Sequence, residues 1–165
     1  MEMEPHPRVA ALIAALGLRP HVEGGFYRET FRSTSIVRRA TDGAPRAALT
    51  SIDFLLPAGT VSRWHLVTSD EAWHLHEGEG LDLFLAPPDI DTLTHVRLGA
   101  AIDTDGPAFV VTAGWWQAAR PVGAYALTGC TVGPGFEFAD FRMMRDDPAA
   151  TARMRSLGAD ASSLL

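Results

Sequence analysis

The sequence predicts an all-β fold, a barrel or sandwich, with one short helix at each end of the chain. Three observations carry this. From Phe26 to Met143, short runs of strand-forming residues recur at nearly even spacing. Turn-forming clusters separate them, at Asp42-Gly43, Pro57-Ala58-Gly59, Glu77-Gly78, Pro87-Pro88 and Thr104-Asp105-Gly106. No helical periodicity falls between the runs, which argues against crossover helices and hence against a parallel sheet.

The chain opens on a helix. Val9, Leu12, Ile13 and Leu16 share one face at helical spacing, Pro7 suits the first turn, and Gly17 with Pro20 ends it. The strand runs follow: Phe26 to Thr34, Leu49 to Leu56, Val61 to Val67, Glu71 to His76, Leu81 to Leu85, Thr94 to Leu98, Ala108 to Thr112, Tyr125 to Val132 and Phe136 to Met143. A second helix is predicted from Asp147, a capping residue, through Pro148 to Gly158, and residues 159–165 read as a frayed end. Nothing resembles a repeat or linker, so residues 1–165 read as one domain, with the barrel at about 21–145.

Composition narrows the function. A hydrophobic fraction of 47% suffices for a core without metal or disulfide staples. With 14 Lys+Arg against 20 Asp+Glu, the chain lacks the basic stripe of a nucleic-acid binder. The single cysteine, Cys130, excludes an internal disulfide and suits a reducing cytoplasm. Glu2 and Glu4 replace the basic start of a secretory leader, and Val9 to Leu18 is too short to span a bilayer. The expectation is a cytoplasmic protein that touches neither membrane nor nucleic acid.

Two segments are spaced like known motifs. In Gly59 to Gly78, His65 follows Gly59 by six positions, Glu71 follows His65 by six, and Gly78 follows Glu71 by seven. In Gly106 to Gln117, two glycines, Gly106 and Gly114, precede Gln117. These resemble the first and second motifs of the cupin superfamily, with Val67 and Gln117 standing where that family usually has histidines. His21-Val22-Glu23-Gly24-Gly25-Phe26-Tyr27-Arg28-Glu29-Thr30, Ser69 to His76 and Thr131 to Phe138 resemble one subfamily in particular, small proteins long catalogued as a domain of unknown function. The resemblance implies a double-stranded β-helix (the cupin jelly roll), a homodimer, and a small-molecule pocket similar to that of sugar-nucleotide epimerases.

Alternation along the strands puts Arg63, His65 and Val67 on one face, and Glu71, Trp73 and Leu75 on one face of the next run. In the cupin register His65, Glu71 and Gln117 converge on the pocket with Trp73 as a wall. A metal held by His65, Glu71 and Gln117 is one reading, but with two histidines replaced no cofactor is favoured and a divalent metal stays the alternative. The favoured chemistry is metal-free acid–base catalysis of the epimerase, isomerase, dehydratase or cyclase kind. His65 moves a proton near neutrality, Glu71 supports it, and Tyr27 is the partner acid. Arg28, Arg63, Gln117 and Glu23 are candidate ligand contacts, the arginines toward a carboxylate or phosphate. Against these stand an inert buried His65–Glu71 pair, a non-catalytic binding module, and a metal-dependent oxygenase or isomerase. His74 and His76 fall on the face away from Glu71 and read as structural or interfacial, and Cys130 reads as a small core residue.

Overall fold

The computed structural model describes residues 6–165. Glu2 and Glu4, on which the absence of a leader was argued, lie outside them. The elements are α1 (Pro7–Leu16), β1 (Arg19–Pro20), β2 (Phe26–Arg32), β3 (Ile36–Arg38), β4 (Pro45–Ala47), β5 (Thr50–Pro57), β6 (Ser62–Val67), β7 (Asp70–Ala86), β8 (Thr94–Leu98), β9 (Ala108–Val111), β10 (Trp116–Gly133), β11 (Phe141–Met143), α2 (Pro148–Ser156) and α3 (Ala159–Ser162). Single 3-10 turns occupy Phe138–Asp140 and Met144–Asp146. No described helix is long and apolar enough to cross a membrane.

Two long antiparallel strands organise the barrel. β7 and β10 pair from Asp70 opposite Gly133 to Ala86 opposite Trp116, with register shifts midway. One end of β10 carries β5 and then β2, the other carries β6 and then β11, while β8 and β9 flank β7. Bent at the register shifts, this curled jelly-roll sheet encloses Phe54, Leu56, Trp73, Leu81, Leu83 and Leu98, all at most 1% exposed. Among the described residues this core fills one end of the interior and a cavity opens at the other, where a site can lie.

The structure departs from the sequence reading at four places. Glu77-Gly78 is no turn: β7 continues through it, between the two register shifts against β10. Gly78 has φ 114°, and a Cβ there would lie 2.3 Å from the Tyr125 carbonyl oxygen, so glycine serves a close strand approach. The run from Tyr125 begins nine residues earlier, at Trp116. Only Phe141–Met143 of the run from Phe136 is strand. The C-terminus is packed rather than frayed: Ala161 and Leu164 are buried, and Trp64 donates its indole N–H to the Ala161 carbonyl (2.8 Å) and its backbone N–H to that of Leu164 (3.1 Å).

The helices cover the two outer faces. α1 ends at Gly17 in the left-handed conformation (φ 63°) and lays Val9 and Leu12 on Leu55 and Leu127. The Arg8 guanidinium grips both oxygens of Glu77 (2.7 and 2.8 Å) and pins the helix to the sheet. α2, capped by the Asp147 carboxylate on the Ala150 N–H (2.9 Å), seals the opposite face with Met154.

Candidate functional site

The open end holds a cavity of about 200 Å³. Its buried floor is built by His65 of β6, Glu71 of β7, Cys130 and Val132 of β10, and Glu23 from the loop before β2. Phe136, Phe138 and Phe141 form an aromatic wall, and the exposed Arg19, Glu29, Arg32 and Glu137 frame the mouth.

Gly24 brings the loop to the floor. It has φ 115°, and a Cβ there would lie 2.1 Å from the Val61 carbonyl oxygen, so only glycine lets the loop lie against the start of β6. The Arg63 N–H then donates to the Glu23 carbonyl (2.9 Å), and the carboxyl turns inward. Gly24→Ala is expected to cost about 1–3 kcal/mol of stability and to displace Glu23 from His65, measurable as a lowered unfolding midpoint together with a changed His65 nitrogen resonance.

The proton inventory of the floor follows from geometry. His65 Nδ1 is 2.7 Å from the Arg63 carbonyl oxygen, which can only accept, so Nδ1 carries the proton and Nε2 the lone pair. That Nε2 lies 3.3 Å from Glu23 Oε2. His21 Nδ1 uses its lone pair to accept the Glu23 backbone N–H (3.3 Å) and lies 3.5 Å from the same Oε2. The His65 lone pair facing a carboxyl oxygen requires a proton between the two, and burial says where it rests. Desolvation raises the Glu23 carboxyl pKa and lowers those of His65 and His21, so the neutral acid with neutral imidazoles is favoured. Ser62 completes the arrangement by donating to Glu23 Oε1 (2.8 Å).

Glu71 stands beside this pair under different control. Burial pushes its carboxyl up to about 7, while the neighbouring His65 opposes the shift. Its Oε2 accepts the Gln117 amide N–H (2.5 Å), and Gln117 Oε1 accepts the Trp73 indole N–H (2.8 Å). The indole can only donate, so it fixes the amide's orientation, and the amide fixes the carboxyl. The floor thus pairs a carboxyl poised near neutrality with a carboxyl–imidazole pair that holds a proton.

The structure brings His65, Glu71, Glu23 and Tyr27 together at the cavity. Trp73 and Gln117 lie behind Glu71, because the inward face of β7 at Trp73 meets the packed end of the barrel. Arg63 shares the parity of His65 but sits at the strand's start with its side chain in solvent. Arg28 is exposed and pairs with Asp53 (3.1 Å) outside the cavity. His74 and His76 are exposed, on the face away from Glu71. Cys130 lines the cavity, but burial holds its thiol well above the ordinary value and suppresses thiolate reactivity. Sequence reasoning missed His21, Arg19 and the three phenylalanines. His21 and Glu23 lie in a turn, closed by the Gly24 N–H on the His21 carbonyl (3.1 Å), where strand alternation gives no signal.

Two of the four ligand positions in the cupin pattern offer no free donor here. Of the four positions that the cupin resemblance assigns to ligands, Val67 has no donor atom and the Gln117 amide is held between Trp73 and Glu71. Among the described residues no group of three His, Cys, Asp or Glu side chains is arranged to hold a metal ion.

A curled antiparallel barrel, open at one end over a polar floor delivered by facing strands, defines a cupin-type small-molecule enzyme or binder. The chain belongs to the Cupin superfamily (DUF985), whose family model matches residues 10–144. Among solved structures it is similar to a hypothetical protein from Leishmania major, at 28% identity and TM-score 0.77, over 89% of this chain and 96% of that one. It is also similar to a protein from Shewanella oneidensis, at 38% identity and TM-score 0.72, over 81% of this chain and 82% of that one. A Bacillus subtilis oxalate decarboxylase variant shares the fold alone, at 14% identity and TM-score 0.56, over 77% of this chain and 30% of that one. No curated protein matches the chain.

Proposed function

We propose that the chain is a small-molecule enzyme of isomerase or epimerase type, with dehydration and cyclisation as related outcomes, working by metal-free proton transfer in this cavity. The observation that carries the reading is the buried Glu23–His65 contact (3.3 Å) beside a buried Glu71, whose carboxyl desolvation pushes up to about 7. A carboxylate close to pH 7 accepts a proton from a C–H acidified by a neighbouring carbonyl, and the C–H electron pair passes into an enolate. Glu23, backed by His65, supplies the proton that returns to carbon or caps the enolate oxygen. Nothing is oxidised or reduced, and no metal enters any step. The apolar wall excludes water and strengthens these interactions. Fitting substrates are sugar derivatives or biosynthetic intermediates with a hydrogen next to a carbonyl. The reading includes a single cupin domain acting as a homodimer in the cytoplasm, on the family resemblance and the lone cysteine.

The test is deuterium wash-in. Incubated in D2O with aldoses, ketoses, uronates and their phosphorylated forms, the protein is expected to place one deuterium next to the carbonyl of at least one of them, detected by NMR. Prior dialysis against a chelator is expected to leave the rate unchanged. Binding without exchange assigns a non-catalytic binding module instead. Loss of exchange on dialysis, restored by a divalent ion, assigns the metal-dependent alternative.

A further inference from the structure

The mouth of the cavity carries a cation that the proton-transfer chemistry leaves unused. Two exposed arginines line it, Arg32 and Arg19. Arg32 is committed, donating to both oxygens of Glu29 (3.0 and 2.8 Å) and to Glu137 (2.8 Å). Arg19 has no side-chain hydrogen bond or ion pair among the described residues. Its guanidinium lies over the Tyr27 ring, 5.2 Å from the centroid, which orients the group while leaving its N–H edges open. The Tyr27 hydroxyl likewise has no partner among the described residues. Tyr27 stands edge-on to His21, with ring centroids 4.6 Å apart, and His21 leads to Glu23. Two rings thus separate a pair of unused donors at the mouth from the proton-transfer groups on the floor.

We propose that Arg19 and Tyr27 form an anion anchor, so that the ligand of this cavity is a small oxygenated molecule with one terminal carboxylate or phosphate monoester. The inference rests on the cavity being the functional site proposed above. Glu29 and Glu137 both bond to Arg32, and neither contacts Arg19. A cavity of about 200 Å³ lies below the roughly 300–1,000 Å³ typical of drug-sized sites. The enclosed part of the ligand is therefore one sugar-sized unit or less, held at the anion and presented to Glu71 at the far end. Tyr27 then holds the substrate rather than protonating it.

Calorimetric titration of the full chain with glucose, glucuronate and glucose 6-phosphate tests this. The wild type is expected to bind at least one of the anions about tenfold or more tighter than glucose, the size of a charge-assisted hydrogen-bonded contact. Arg19→Gln is expected to erase that preference without changing the affinity for glucose, Arg19→Lys to restore part of it, and Arg28→Gln to leave it intact. Preference for glucuronate alone identifies a carboxylate ligand, and for glucose 6-phosphate alone a phosphate. Equal affinity for neutral and anionic probes, no binding of either anion, or an unchanged preference in Arg19→Gln overturns the proposal. Glu71→Gln keeps the anion preference while losing deuterium exchange, so failure of the anchor and failure of the proton-transfer reading give different results.

Discussion

Glu71→Gln is expected to lower deuterium exchange by roughly 10²- to 10⁴-fold, the usual contribution of a positioned general base, while preserving the barrel. The amide is nearly isosteric with the carboxyl, and its oxygen still accepts the Gln117 N–H that positions Glu71. In the wild type the rate is expected to rise with pH through about 7, because the base must be ionised and burial holds its pKa near that value. Stability runs the other way. The unfolded chain ionises Glu71 near 4.5 and the folded chain near 7, so between those values the folded state binds the extra proton and loses stability as pH rises. Relative to Glu71→Gln, the wild type should therefore become progressively less stable from about pH 4.5 to about pH 7. Denaturant midpoints at pH 5 and pH 8 read the difference. A gap that stays constant, or that widens in the wild type's favour, contradicts the placement of Glu71 in a desolvated site.

Trp64→Ala carries the largest expected effect on stability, about 3–5 kcal/mol for a buried tryptophan. Trp64 is 1% exposed, packs under α2 and α3 with Met144, Met154 and Leu164, and ties the last residues to the barrel through the Ala161 carbonyl. Alanine leaves a cavity and an unpartnered buried carbonyl, two separate costs. Thermal unfolding followed by circular dichroism is expected to shift down by about 10 °C or more. Because Trp64 faces away from the cavity on β6, adjacent to His65, exchange by the variant at low temperature is expected to persist. A loss below 1 kcal/mol on the denaturant scale would show that the C-terminal helices do not depend on this contact.

Much of the fold was legible because strand periodicity and turn chemistry are local. The strands from Phe26, Leu49, Val61 and Thr94 fall close to β2, β5, β6 and β8. Gly78 shows the limit of that signal. A glycine at positive φ is required by a turn and by a bulge alike, and only the pairing of β7 with β10 decides between them. The C-terminal residues misled for a related reason: Ala161 and Leu164 are too few to announce a helix, yet Trp64 recruits them through long-range packing. At the site, alternation put His65 and Glu71 on inward faces, but an inward side chain lines a cavity only where the interior is open. Trp73 has the parity of Glu71 and lies in the packed layer. Arg63 has the parity of His65 and lies outside at the strand's start. Glu23 and His21 reach the floor through a loop bent at Gly24, which no periodicity encodes.

The most direct test of the central claim is a pH titration of the site by NMR, with 13C-labelled glutamate and 15N-labelled histidine and with variants assigning each resonance. The expected result is that at pH 7 His65 is neutral with its proton on Nδ1, that Glu23 ionises above the ordinary carboxylate range, and that the Glu71 carboxyl titrates near 7. A protonated His65 imidazolium facing fully ionised Glu23 and Glu71 at pH 6 would contradict it, and would leave the floor a static ion cluster with no proton poised to move.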